Sequence, residues 1–225
     1  MMTSNRKVGR PANKVDVRNQ LILQARELFS VMPYEKVSIR LIAQKAQVDS
    51  AMVRYYFGNK EGLFETMLRE SLQPMLGKIS QLLEQTSDKT LYELMREHYM
   101  SMLKTPRFSR LISQVMLMPA TDTSRQLVEK VFTDTIKPSN DLLFECLVEE
   151  GIIHPDLDPD LCRFSFISLM IFPFIAPPAM MALHGFKLDQ AFLESLLEHN
   201  IRLLKSGMLV PSQPPTNLQG THDEN

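Results

Sequence analysis

The chain has 225 residues, a formal net charge of −1 at neutral pH and 44% hydrophobic residues, which is an ordinary globular composition with room for one or two domains. Only eight glycines, no tryptophan and many Leu, Met, Gln and Glu favour an all-α fold. The two cysteines, Cys146 and Cys162, lie in apolar runs, which argues against a disulfide framework and indicates a reducing, cytoplasmic setting; no signal peptide is expected.

The charge is distributed unevenly along the chain. Residues 1–73 carry 12 Lys and Arg against 7 Asp and Glu, an excess of about five positive charges, whereas the remaining residues carry 13 against 19. A small basic part joined to a larger acidic part suggests that the first binds a polyanion. A chance fluctuation on a solvated surface is the alternative.

The first segment, residues 1–14, is basic and aperiodic, and we expect a flexible arm. Lys7 and Arg10 could lie in a DNA minor groove, as basic arms do, or the arm could be a solvated tail. From Val15 the apolar residues follow helical spacing, and Pro33 ends this first helix.

Two short helices come next, each with its own start signal. Ser38 is a good N-cap for the first helix and Asp49 is a good N-cap for the second. Only the three residues "AQV" lie between the first helix and the cap of the second. Hydrophobic-staple spacing follows both caps, which together predict a helix-turn-helix. Asn59 opens a longer helix.

The second of these short helices has a predicted core side and a predicted outer side. The core side contains Val48, Val53, Tyr56 and Phe57. The outer side contains Ser50, Ala51, Arg54 and Tyr55. Small residues allow a helix to approach a groove closely, an arginine can donate twice to guanine, and a phenol can donate to phosphate.

At "VSIRLIAQKAQV", "VRYYF" and "NKEGL" the sequence resembles the tetracycline-repressor (TetR) family of bacterial transcriptional regulators, over about residues 15–65. The resemblance implies a three-helix DNA-binding domain whose third helix enters the major groove. By position it implies DNA contacts from Ser38, Arg40, Ser50, Ala51, Met52, Arg54, Tyr55 and Lys60. Two positions depart from the family pattern: Gln47 stands where a turn glycine is usual, and Arg54 replaces a more usual tyrosine.

The rest of the chain is predicted to be helical, with helices over 59–85, 90–103, 106–118, 124–149, 160–184 and 189–205. We expect a bend at Pro74 in the first of these and an interruption at Pro138 in the fourth. We therefore predict a DNA-binding domain at 15–60, a ligand-binding and dimerisation domain at 61–206 and a disordered tail at 207–225. Residues 164–183 carry no charge and are long enough to cross a bilayer, but three prolines favour a pocket or an interface over a membrane span.

The resemblance also implies a homodimer formed through the last two long helices. On the last helix one apolar stripe contains the predicted interface residues Phe192, Leu196, Leu197, Ile201 and Leu204. A pocket for a small apolar or amphipathic effector is expected among the middle helices, with Met100, Met116, Phe132, Phe166 and Met170 as lining residues. His98, Tyr99 and Arg110 could orient a ligand there.

Catalysis has little support in the sequence. The five histidines are scattered, no metal-ligand pair, phosphate loop or nucleophile elbow is present, and no cofactor or metal is predicted. The predicted function is a ligand-responsive regulator of transcription, most simply a repressor, that binds double-stranded DNA at a palindromic operator as a dimer. The alternative is a helical small-molecule carrier or protein-interaction module without specific DNA binding.

Overall fold

The computed structural model describes residues 14–87 and 89–211, and the regular structure in this part is almost entirely helical. Its helices are α1 (Lys14–Phe29), α2 (Ile39–Lys45), α3 (Ala51–Phe57), α4 (Lys60–Leu83), α5 (Thr90–Lys104), α6 (Pro106–Met116), α7 (Thr123–Val131), α8 (Lys137–Glu149), α9 (Pro159–Ile175), α10 (Pro178–Leu183) and α11 (Gln190–Gly207). A single 3-10 turn covers Tyr34–Lys36, and Ile153 and Leu209 form an isolated antiparallel bridge. The predicted all-α fold is confirmed.

The start signals of the N-terminal helices work as the sequence indicates. The Ser38 hydroxyl accepts a hydrogen bond from the backbone N–H of Leu41 at 3.1 Å, which caps α2. The Asp49 carboxylate accepts from the N–H of Ala51 at 2.7 Å, although the cap residue itself is Ser50. The Asn59 amide oxygen accepts from the N–H of Gly62 at 2.8 Å, and α4 begins directly after it.

Prolines account for the interruptions in the later helices. Residues Phe132–Ile136 form one π-helical turn between α7 and α8, just before Pro138, which has no N–H to donate to the preceding turn. The predicted helix over 160–184 is two helices, because Ala176 is extended ahead of Pro177 and Pro178. Pro74 lies inside α4, which continues through it.

The packing divides the chain into two units. The N-terminal unit contains the described residues up to Gln73 together with Thr105–Ile136, and the C-terminal unit contains the described residues of Pro74–Lys104 and those from Lys137 onward. This division follows packing alone, so the boundaries 15–60 and 61–206 that the sequence suggests for function remain a prediction.

The N-terminal unit has an aromatic centre. The rings of Phe29, Tyr34 and Phe64 lie 4.8 to 5.5 Å apart, with Phe29 stacked on Tyr34 and Phe64 edge-on to both. Around them α1, α2 and α3 bury apolar side chains such as Leu21 and Ile42. This core holds the helix-turn-helix on the first half of α4.

Four charged residues join α4 to α7 and the π-helical turn inside the N-terminal unit. Arg69 contacts Glu65 at 2.8 Å and Asp134 at 2.7 Å, and Lys130 contacts Glu65 at 3.0 Å. Hydrogen bonds from Arg69 and Lys130 lower the pKa of Glu65, which favours its charged form. The N-terminal part of α4, which follows α3 directly in the chain, is therefore ionically tied to α7.

The C-terminal unit contains a satisfied polar pair in its core. The Tyr99 hydroxyl on α5 donates to the Leu169 carbonyl on α9 at 2.9 Å and accepts from the Asn200 side-chain amide on α11 at 3.0 Å. These bonds fasten three helices together around Phe174. Within the part of the chain that the structure describes, no helix is long and apolar enough to cross a membrane.

Candidate nucleic-acid interface

The candidate recognition surface is the outer side of α3. Val53 is fully buried, and it anchors the helix in the core of the N-terminal unit. Ser50, Ala51, Arg54 and Tyr55 are exposed, as the sequence predicts, with Tyr55 at 64%. The Tyr55 ring packs edge-on against Tyr56, with 4.8 Å between the ring centres. Met52 is half-buried, so it adds less to this face than predicted.

The rim of this surface comes from α2. Ser38 and Arg40 are both exposed at its start, next in the chain to the 3-10 turn. The Ser38 side chain is used in capping α2, so its hydroxyl is held in place. Lys7 and Arg10, which the sequence adds to this interface, lie outside the described residues.

The turn between α2 and α3 contains a residue in the left-handed backbone conformation. This residue is at position 47, where the TetR family usually has glycine. Gln47 has φ +56°, the only non-glycine residue with positive φ among the described residues. A side chain at this φ costs free energy that glycine would avoid. The turn nevertheless forms, with the N–H of Val48 bonded to the carbonyl of Ala43.

Lys60 is held in place by Tyr34. Its ammonium donates to the Tyr34 carbonyl at 2.7 Å and lies 3.9 Å from the centre of the Tyr34 ring. Burial lowers the pKa of Lys60 and raises that of Tyr34. An ammonium has three donors and this bond uses one, so the cation is positioned at the start of α4 with donors to spare for a phosphate.

Sequence reasoning missed two structural residues of this interface. The sequence pattern assigns no role to Tyr34, although an aromatic residue directly after Pro33 is a usable signal. It assigns none to Gly62 either. A Cβ at Gly62 would lie 2.1 Å from the carbonyl oxygen of Phe57, so glycine is required where α4 starts against the end of α3.

The predicted effector and dimer residues are more scattered than expected. Phe166 and Met170 are buried and Met100 is half-buried in the C-terminal unit, while Phe132 is half-buried and Met116 is exposed in the N-terminal unit. Of the stripe predicted as a partner surface on α11, Leu197, Ile201 and Leu204 are buried in the protomer's own core. Side chains buried within their own protomer have little surface left for a second copy, so the stripe stays a prediction that these three residues support least, and Phe192 and Leu196 are half-exposed.

Helix α9 exposes several large apolar side chains of the C-terminal unit. Leu161, Phe164 and Phe172 are 64%, 70% and 52% exposed, at spacings that place them on one side of the helix. Leu203 on α11 is also exposed. A shallow groove of about 460 Å³ lies between α9 and α11, with Phe164, Phe172, Leu196 and Asn200 among its lining residues.

The described residues form a helical fold whose helix-turn-helix exposes cationic and phenolic side chains on α3. Residues 21–67 match the sequence model of the family described as bacterial regulatory proteins, tetR family. The match covers the same segment at which the sequence resembles the TetR family, so the resemblance is confirmed over these residues.

Known proteins show similarity beyond the matched segment. The probable HTH-type transcriptional regulator YttP from Bacillus subtilis (strain 168) is 25% identical over 138 residues, which are 61% of this chain and 66% of YttP. The chain thus aligns with just under two thirds of that relative's length.

Solved structures share the fold. The transcriptional regulator FadR from Bacillus subtilis, solved in complex with stearoyl-CoA, is 18% identical, with a TM-score of 0.63 over 81% of this chain and 97% of FadR. NalD from Pseudomonas aeruginosa, the secondary repressor of the MexAB-OprM efflux pump, is 22% identical, with a TM-score of 0.64 over 87% of this chain and 98% of NalD.

Proposed function

We propose that this chain is a ligand-responsive repressor of transcription that binds a palindromic operator as a homodimer in the cytoplasm, and that it is not an enzyme. The observation that carries the proposal is α3, which buries Val53 and exposes Ala51, Arg54 and Tyr55 on the opposite side. The small side chain of Ala51 at the start of α3 allows the helix to approach the major groove closely. Arg54 reads guanine, and Tyr55 and Lys60 contact phosphates.

A dimer is part of the proposal because one short helix reads few base pairs. Two recognition helices related by a two-fold axis would read half-sites about 34 Å apart. The exposed side of α9, with Phe164 and Phe172, offers an apolar surface for the second copy, and Leu203 on α11 is a further exposed apolar residue. This surface replaces the buried part of the α11 stripe, and Leu196 at the groove remains in it.

The effector is proposed to be a small molecule with a long apolar body. FadR, which shares the fold, was solved with stearoyl-CoA, so a long-chain acyl compound is the class to test first. Its signal would pass through α4, because the ionic contacts of Glu65 and Arg69 tie α4 to α7 and the π-helical turn. A tenfold loss of operator affinity requires about 1.4 kcal/mol of differential effector binding.

Selection of bound duplexes from a random DNA pool tests the proposal directly. An enriched palindrome, bound with an affinity that falls steeply between two salt concentrations, is the expected result. Absence of any enriched sequence, with a folded dimer verified by light scattering, would contradict the proposal and favour a ligand carrier or protein-interaction module. Effector candidates are then screened by their ability to release the selected duplex.

A further inference from the structure

Among the described residues of the C-terminal unit, one buried side-chain nitrogen has no hydrogen-bond partner. His98 lies on the buried side of α5 and is 8% exposed. Its Nε2 atom is buried and makes no hydrogen bond to the described residues. A buried nitrogen left without a partner costs free energy, so such an atom in a folded protein calls for a ligand or an ordered water.

The polar group of the neighbouring residue Tyr99 is fully paired. The Tyr99 hydroxyl uses both its donor and its acceptor, with Leu169 and Asn200 as partners. His98 and Tyr99 both pack edge-on against Phe174, at 5.6 and 5.7 Å between ring centres. His98 Nε2 thus stands beside a satisfied network without joining it.

The surroundings of His98 determine what could bind there. Burial lowers its pKa to about 4, so the imidazole is neutral at neutral pH. Leu94, Met95 and Met102 are buried on the same side of α5 and provide apolar and adaptable contacts. A neutral imidazole can donate or accept one hydrogen bond at Nε2 but offers no charge to a carboxylate.

We propose that His98 Nε2 is the polar contact for an apolar effector whose bound end carries one neutral oxygen, such as a ketone, ester, thioester or alcohol. This inference rests on the proposed ligand-responsive function and narrows its ligand class. It also distinguishes His98 from Tyr99 and Arg110, the other two residues that the sequence suggested for orienting a ligand. A free fatty acid is disfavoured, because its carboxylate would lose hydration without gaining a cation.

Three probes of equal chain length test the ligand class by calorimetric titration of the full-length protein: 2-undecanone, undecane and undecanoate. We expect 2-undecanone to bind about tenfold more tightly than undecane, the effect of one neutral hydrogen bond, and undecanoate to bind more weakly than the ketone. In His98→Phe the ketone and the hydrocarbon should bind equally. Retention of the ketone preference in that variant, tightest binding of undecanoate, or no binding of any probe would each overturn the inference.

A second measurement separates a ligand contact from a trapped water. The ¹⁵N resonance of His98 Nε2 should shift when 2-undecanone is added and stay in place with undecane. A resonance that the ketone leaves unmoved would mean that the nitrogen bonds only water, which overturns the inference. Thermal unfolding supplies a control for the pairing itself, because Tyr99→Phe should lower the melting temperature and His98→Phe should leave it equal or higher.

Failure here is distinguishable from failure of the proposed function. Operator binding by the unsubstituted protein is measured without any probe, in the random-pool selection described above. If an operator is found but the ketone preference is missing, only the assignment of His98 falls. If no operator is found, the proposed function as a regulator of transcription is contradicted, whether or not the probes bind.

Discussion

Replacing Arg54 with alanine tests the recognition surface most directly. Arg54 is exposed on α3, one turn before its C-terminus, so removing its side chain leaves the core around Val53 intact. An arginine that donates twice to guanine contributes about 1–3 kcal/mol of discrimination. A dimer uses two copies, so operator affinity should fall by about 2–6 kcal/mol, or about 30-fold to 20,000-fold.

Arg54→Lys separates base reading from simple charge. Lysine keeps the positive charge but loses the planar fork, so the salt dependence should persist while the preference for the selected base at that position weakens. Arg202→Ala, an exposed arginine on α11, is the matched control and should bind the operator normally. Operator affinity is measured by fluorescence anisotropy of a labelled duplex at two salt concentrations.

The reasoning is refuted by one result above all. If Arg54→Ala binds the selected operator as the unsubstituted protein does, with an unchanged melting temperature and dimer mass, then α3 does not read bases through this residue. A loss of binding with a lowered melting temperature would instead mean that the side chain supports the fold, which its exposure argues against.

Three further predictions concern the interface, the turn and the dimer. Lys60→Met should reduce the slope of log affinity against log salt by about 1.8, because the dimer loses two phosphate contacts. Tyr34→Phe keeps the ring beneath the ammonium and should leave the slope unchanged. Equal slopes for the unsubstituted protein and both variants would contradict this prediction. Gln47→Gly should raise the free energy of unfolding by about 1 kcal/mol in urea titrations, since φ is +56° there, and an unchanged or lower midpoint would speak against strain at this turn. Phe172→Glu should be monomeric by light scattering, because Phe172 lies on the proposed dimer surface. Leu197→Ala should stay dimeric but lose about 2–5 kcal/mol of stability, because Leu197 is buried in the protomer. If Phe172→Glu is still a dimer, the interface does not include Phe172.

The sequence predicted the helix-turn-helix well because its signals are local. The Ser38 cap depends on residues within one turn of each other, and so does the strained position of Gln47. The contact between Lys60 and Tyr34 was not predicted, because it joins residues 26 positions apart through a backbone carbonyl that no side-chain pattern encodes.

Helical spacing did not predict which residues of the α11 stripe are buried within the protomer. Helix α11 has apolar residues on two neighbouring sides, and helical spacing alone does not say which side faces the protomer's own core. The buried residues Leu193, Leu197 and Leu204 fill that core, whereas Leu196 is half-buried and Leu203 is exposed. Only the packing of α11 against α5 distinguishes the two sides.

Reading DNA and sensing a ligand can be connected by one thermodynamic requirement. If an effector lowers operator affinity by some factor, saturating operator must lower effector affinity by the same factor, because the two bindings share one coupling free energy. A probe that binds near His98 and releases the duplex tenfold must therefore bind the operator complex tenfold more weakly. A probe whose affinity is the same with and without operator occupies the protein without biasing it, however tightly it binds, and cannot be the molecule that this regulator senses.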